Sequence, residues 1–148
     1  MKTLDLFSEA QMLCQVLRRW GDVVHEGFGL TASARGVLEA LLLGGPATVP
    51  RIARERGTSR QHVQQLVDLL LERDLVERRG NPHHKRSSLI ALTDKGRARV
   101  ENMRAAERNA IGGIQAGVSD RATEEARLVV AAWRTALQRD TEQRTARL

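Results

Sequence analysis

The stretch TSRQHVQQLVDLLLERDLVERRGNPHHKRSSLIALTDKGR, residues 58–97, decides the fold. Its first half has a helical period. Val63, Leu66, Val67 and Leu70 fall on one side, and Gln61, Gln64, Gln65 and Asp68 fall opposite, at the same spacing of three and four. Thr58 or Ser59 supplies an N-cap, and the helix runs to about Arg73. The second half changes period. Two short β-prone runs, 75–79 and 88–92, surround a turn that starts Gly80-Asn81-Pro82, which predicts a hairpin. Thr93-Asp94 then opens another helix, with an acid in the first turn where the helix dipole favours it.

Upstream, Thr48 begins a short helix with Pro50 in its first turn, where a missing N–H removes no hydrogen bond. Ile52 and Ala53 face inward, and Gly57 stands at the C-terminal cap. A turn of about three residues containing Gly thus joins two helices, the spacing of a helix-turn-helix. A basic hairpin directly after it is a wing. Before this unit, Thr31 caps a helix that buries Ala34, Val37, Leu38, Leu41 and Leu42 and stops at Gly44-Gly45-Pro46. The first helix carries Phe7, Ala10, Leu13, Leu17, Trp20 and Val24 on one face and ends at Gly27 and Gly29. After the wing, a long helix runs toward Gly117, loosened at Gly112-Gly113. Ser119-Asp120 starts a last helix with Leu128, Val129, Ala132, Trp133, Ala136 and Leu137 as its apolar side.

These elements predict a mainly α protein: a winged helix-turn-helix with a small β-hairpin wing and long N- and C-terminal dimerisation helices. Residues 1–29 form the N-terminal arm, 30–99 the winged domain and 100–148 the C-terminal helices. The outer helices are too apolar on one side to stand alone, so they are expected to pack on each other and on a second copy.

Composition narrows the function. The 148 residues include 24 Lys+Arg and 18 Asp+Glu. Residues 51–99 hold 12 of the bases and 6 of the acids, so the whole excess of +6 lies in the winged segment. A localised basic block points to a polyanion, foremost nucleic acid. One cysteine excludes a disulfide framework and a four-cysteine zinc site. No apolar run approaches the ~20 residues of a membrane span. The N-terminus has acids and no signal-peptide core, so a soluble, cytoplasmic protein is expected.

The helix of 60–73 has the chemistry of a major-groove reader. Gln61, Gln64 and Gln65 present carboxamides, which bond adenine bidentately, and Arg60 presents a guanidinium suited to guanine. His62 flanks that face, and Thr58 and Ser59 stand at a helix N-terminus that attracts phosphate. Arg78, Arg79, Lys85 and Arg86 bracket the wing, where arginines enter a minor groove or bind phosphates. Arg51, Arg54 and Arg56 on the short helix are expected to touch the DNA backbone.

Residues 30–99 resemble the MarR family of winged-helix transcriptional regulators. Residues 75–97 carry the likeness: a strand, then Asn81-Pro82, then Leu92-Thr93 with Gly96 three residues on. Residues 48–53 and 58–70 resemble the family's helix-turn-helix. The resemblance implies a homodimer on an inverted-repeat operator in double-stranded DNA, acting as a repressor relieved by a small effector. It implies an effector pocket between the arms and the winged domain, with Trp20, Val24, Phe28 and Arg35 in the matching wall. Two positions depart from the family. His84 stands where the wing has an aspartate paired with the arginine that falls on Arg86, so that wing ion pair is in doubt. Asp74 stands where many relatives have Gly.

Other chemistry is thinly supplied. Cys14 lies beside the apolar stripe of the first helix and is expected to be a small buried thiol rather than the redox sensor of some relatives. His25, His62, His83 and His84 show no metal-ligand spacing on one element. No nucleophile–base–acid set or phosphate-cradling glycine loop is apparent, so no enzyme, metal or cofactor is expected. The same fold also serves as a protein-interaction module or as an architectural DNA binder without sequence preference.

Overall fold

The computed structural model describes residues 2–84 and 86–147. They form two compact units, residues 1–111 and residues 112–148. The first holds α1 (Lys2–Val24), a 3-10 turn (Glu26–Phe28), α2 (Ala32–Gly44), α3 (Val49–Arg56), α4 (Arg60–Glu72), β1 (Val76–Arg79), β2 (Leu89–Leu92) and nearly all of α5 (Asp94–Gly112). The second holds α6 (Asp120–Thr145).

The caps set the helix starts. Thr31, Thr48, Ser59 and Ser119 each accept a hydrogen bond from the backbone N–H three residues on. Gly57 ends α3 in the left-handed region at φ +61°, which a side chain rarely adopts, and so allows the tight turn into α4. The core lies where the apolar sides of α2, α3, α4 and the hairpin meet. Val37, Leu38, Ile52, Val63, Val67, Leu70 and Ile90 are fully buried there, with Val100 of α5 beside them.

The strands pair antiparallel, with Val76 opposite Leu92 and Arg79 opposite Leu89. A third segment joins them: Ala47 exchanges both backbone hydrogen bonds with Ile90, at 3.0 and 2.8 Å. The start of α3 is thereby tied to the wing, a link the sequence pattern does not reveal.

The junction of α4, β1 and α5 is the tightest point. Thr93 Oγ donates to the Asp74 carbonyl at 2.7 Å and accepts from the Gly96 N–H at 2.9 Å. A Cβ at Gly96 would lie 1.8 Å from the Leu75 carbonyl oxygen. That distance is impossible, so only Gly allows α5 to approach the strand this closely. Asp74 takes the left-handed conformation at φ 56° without being Gly. Asp tolerates that region better than most residues.

The outer helices bury little within the chain. In α1 only Gly21 is buried, and Leu13, Val16 and Leu17 are more than half exposed. Cys14 is exposed as well, which corrects the expectation of a buried thiol. The stripe beside it is only partly covered inside the protomer, with Leu13 and Leu17 more than half exposed, and helical spacing alone does not show that. In α6 no residue is buried, and Leu128, Val130 and Leu137 are exposed. The Arg127 guanidinium, hydrogen-bonded to Glu124, holds that carboxyl below its ordinary range. No described helix is long and apolar enough to cross a membrane.

Gly96→Ala is expected to destabilise the protein by about 1–3 kcal/mol or more, because backbone must move to admit the methyl group. Gly80→Ala, with nothing within 4 Å of the added atom, is expected to change stability by less than ~0.5 kcal/mol. Urea unfolding of both variants checks this, and equal midpoints would contradict the packing account.

Candidate nucleic-acid interface

The buried side of α4 packs into the core, which turns its polar side outward. Arg60, Gln61, His62, Gln65 and Asp68 are exposed, and Gln64 is half-buried. Ser59 Oγ takes up the His62 N–H at 3.1 Å. The N–H groups of Arg60 and Gln61 lie ahead of the helix's own ladder and point out of its N-terminus with Thr58 and Ser59. That end suits an anion by partial charge and by geometry.

The hairpin stands beside this face. A groove of about 450 Å³ separates them, lined by Arg60, Gln61, Gln64, Arg78, Arg86, Ser87 and Ser88, with Val49, Pro50 and Ile90 completing its wall. Residues predicted from two separate motifs thus share one surface. Arg78 reaches back across α4, and its Nη2 lies 3.3 Å from Asp68 Oδ1. Asp68 Oδ1 also accepts from Gln64 Nε2 at 2.8 Å. Arg79 pairs instead with Glu77, at 2.7 Å.

The wing loop is organised by Asn81. Its Oδ1 accepts from the His83 N–H at 3.0 Å, and its carbonyl accepts from the His84 N–H. This is a side-chain mimic of a backbone turn. His84 and Arg86 are both exposed. Among the described residues Arg86 has no acidic partner, so its charge is available to an external anion. Lys85, also expected at this surface, lies outside the described residues.

The three arginines of α3 separate. Arg54 shares a concave surface with Thr48, Arg51, Thr58 and Arg60, beside the groove. Arg51 is also paired with Glu55 at 2.8 Å. Arg56 lies over Gly36 and lines a different cavity, apart from Arg51 and Arg54.

That second cavity, about 190 Å³, is lined by His25, Arg35, Gly36, Glu39, Arg56, Met103, Arg104 and Glu107 among others. Of the predicted pocket residues, Arg35 lines it. His25, rather than Trp20, Val24 or Phe28, forms its wall beside α1, while those three are half-buried nearby in sequence. His25 is 2% exposed. Its Nδ1 meets the Gly21 carbonyl at 2.7 Å and the Arg35 guanidinium, and its Nε2 meets the Met103 carbonyl at 3.2 Å and Glu107 at 3.3 Å. The short turn beyond it is tied down twice. Arg99 donates to the Phe28 carbonyl at 2.9 Å, and Arg73, at the C-cap of α4, donates to the Gly29 carbonyl at 2.5 Å.

Two contributors escape sequence reasoning. The pairing of Gln64 with Asp68 has a visible signal, their i, i+4 spacing. The pairing of Asp68 with Arg78 has none, because it depends on how the hairpin leaves α4. The same holds for His25, whose partners on α5 lie 78 and 82 positions away.

Comparison with known proteins agrees with this geometry. A model of the MarR family matches residues 28–87. An uncharacterized protein of Mycobacterium tuberculosis is 39% identical over 92 residues, which cover 62% of this chain and 64% of that one. The match therefore spans less than two thirds of the length of that relative. Among solved structures, a MarR family transcription regulator is 28% identical, with a TM-score of 0.71 over 93% of this chain and 95% of the other. A mutant MarR from E. coli in complex with operator DNA shares the fold at 18% identity, with a TM-score of 0.73 over 88% of this chain and 94% of the other. The fold is that of the solved MarR transcription regulators, and residues 28–87 match the model of the MarR family.

Proposed function

We propose that this chain is a homodimeric, sequence-specific regulator of transcription that binds an inverted repeat in double-stranded DNA, most simply as a repressor released by a small effector. The observation that carries the reading is the shared groove. Gln61 and Gln64 of α4 face it together with Arg78 and Arg86 of the hairpin. Base-reading amides and phosphate-binding guanidinia occur on one surface beside an open helix N-terminus. In this reading α4 enters the major groove, and Arg86 follows the adjacent minor groove or its phosphates. The solved complex of a related fold with operator DNA supports it.

The exposed apolar side chains of α1 and α6 support a second copy. Leu13, Leu17, Leu128 and Leu137 stand about half exposed in a single chain, and full burial of a Leu contributes about 1.5–3 kcal/mol. Two copies place two α4 helices on successive major grooves, about 10 base pairs apart.

The effector part of the reading rests on the His25–Arg35 cavity. Three guanidinia, from Arg35, Arg56 and Arg104, suit a small anion. The route to DNA is short. Arg73 connects the turn after His25 to the end of α4. A ligand that shifted that turn would bias the orientation of α4, a coupling of ~1–3 kcal/mol.

Selection from a pool of random duplexes tests the proposal. The expected result is an enriched inverted repeat with half-site centres about one turn apart, bound by a species that sediments as a dimer. Retention without enrichment indicates architectural binding, and no retention indicates a protein-interaction module. Gln65→Ala is expected to relax preference at one position per half-site, worth about 1–3 kcal/mol, in a competition assay against single-base variants of the selected duplex. Arg86→Ala is expected to weaken all duplexes alike and reduce the slope of log affinity against log salt by about 1. A sequence-selective loss for Arg86→Ala would assign it to base reading instead.

A further inference from the structure

We infer that Asp68 is a specificity-determining positioning residue, whose carboxylate fixes the Gln64 carboxamide and the Arg78 guanidinium in the orientation that reads DNA. The inference rests on the DNA-reading function proposed above. An acid on the outward side of α4 is otherwise a liability, because it repels the phosphates that the surrounding bases attract. Asp68 is 53% exposed at its side chain, and its partner Arg78 is 48% exposed, so their ion pair adds little to folding stability. Its role must lie elsewhere.

The geometry supplies one. A single oxygen, Oδ1, accepts from Gln64 Nε2 at 2.8 Å and from Arg78 Nη2 at 3.3 Å. An ionised carboxylate accepts hydrogen bonds and cannot donate them. It therefore selects the nitrogen end of the Gln64 amide and turns the carbonyl oxygen away. One N–H is used by Asp68, and the other remains beside the carbonyl. An acceptor and a donor side by side, in a fixed order, match the N6 donor and N7 acceptor of adenine. An amide free to flip would present the reverse order as readily. Gln64 and Arg78 both line the groove, and Asp68 stands behind them. Gln64 is also less exposed than Gln61 and Gln65, so it has fewer alternative positions.

This arrangement predicts effects of opposite sign on two kinds of binding. Asp68→Asn keeps the shape, removes the charge and allows the amide of Gln64 to take either orientation. Binding to unselected duplex is expected to strengthen, since a repulsion is lost. Discrimination at one base pair per half-site is expected to fall roughly five- to tenfold. Asp68→Glu, still an acceptor-only anion, is expected to restore part of that discrimination. In a Gln64→Ala background, Asp68→Asn should relax the preference no further, because the amide it orients is gone.

The experiment is random-duplex selection followed by competition binding, with the wild-type protein, Asp68→Asn, Asp68→Glu, Gln64→Ala and the double variant, each checked for unchanged thermal unfolding. Lost discrimination with unchanged unfolding, rescue by Glu and non-additivity with Gln64→Ala support the inference. A wild-type preference that Asp68→Asn leaves intact overturns it and leaves the DNA-reading function standing. So does a loss that Gln64→Ala does not absorb. A wild-type protein that enriches no sequence overturns the DNA-reading function and this inference together.

Discussion

The contact of Gly96 with the Leu75 carbonyl governs the placement of the polar side of α4 and of the wing. No side chain fits between them. Thr93 closes the same junction by capping α5 and holding the Asp74 carbonyl, while its own N–H donates to the Leu75 carbonyl at 3.2 Å. These are backbone-level constraints in a small space. They fix where β1 leaves α4, and so the distance between the polar side of α4 and the wing. The Ala47–Ile90 bridge adds a second fixed point, at the start of α3. The ion pairs of the interface, by contrast, are exposed and individually weak. They adjust side chains on a surface whose shape the backbone has already set.

That division of labour explains why the wing tolerates His84 in place of an acid. The loop is held by Asn81 and by the strand pairing, neither of which needs a carboxylate at position 84. Arg86 is left without an internal partner among the described residues, and its full charge faces outward. Asp68 provides an acid on α4, beside Arg78. The charge that this chain lacks at the wing tip is therefore present on α4, where it touches the Gln64 amide as well.

Most of the winged domain was legible in the sequence because its signals are local. The caps at Thr31, Thr48 and Ser59, the Gly57 turn, the Val63–Leu70 stripe and the strand pair all lie within a few residues of what they determine. What escaped depends on chain segments distant in sequence. The Ala47–Ile90 bridge, the Asp68–Arg78 pair and the His25 contacts to α5 need the register and the packing before they exist. The exposure of Cys14 escapes the sequence for a related reason. An apolar stripe shows that a helix face has a partner, and it does not show that the partner is in the same chain. The cavity that Arg35 lines is walled by His25 and not by Trp20, Val24 or Phe28, and periodicity of apolar residues carries no sign of a buried polar residue there.

The central claim is that α4 and the wing approach DNA from one side, the helix at the major groove and Arg86 at the minor groove. Methylation interference on a selected duplex tests it most directly, because dimethyl sulfate marks guanine N7 in the major groove and adenine N3 in the minor groove. The account predicts two blocks of guanine interference about one helical turn apart, flanked by adenine interference that Arg86→Ala removes while the guanine blocks remain. Interference confined to one groove, or adenine signals unaffected by Arg86→Ala, would contradict it.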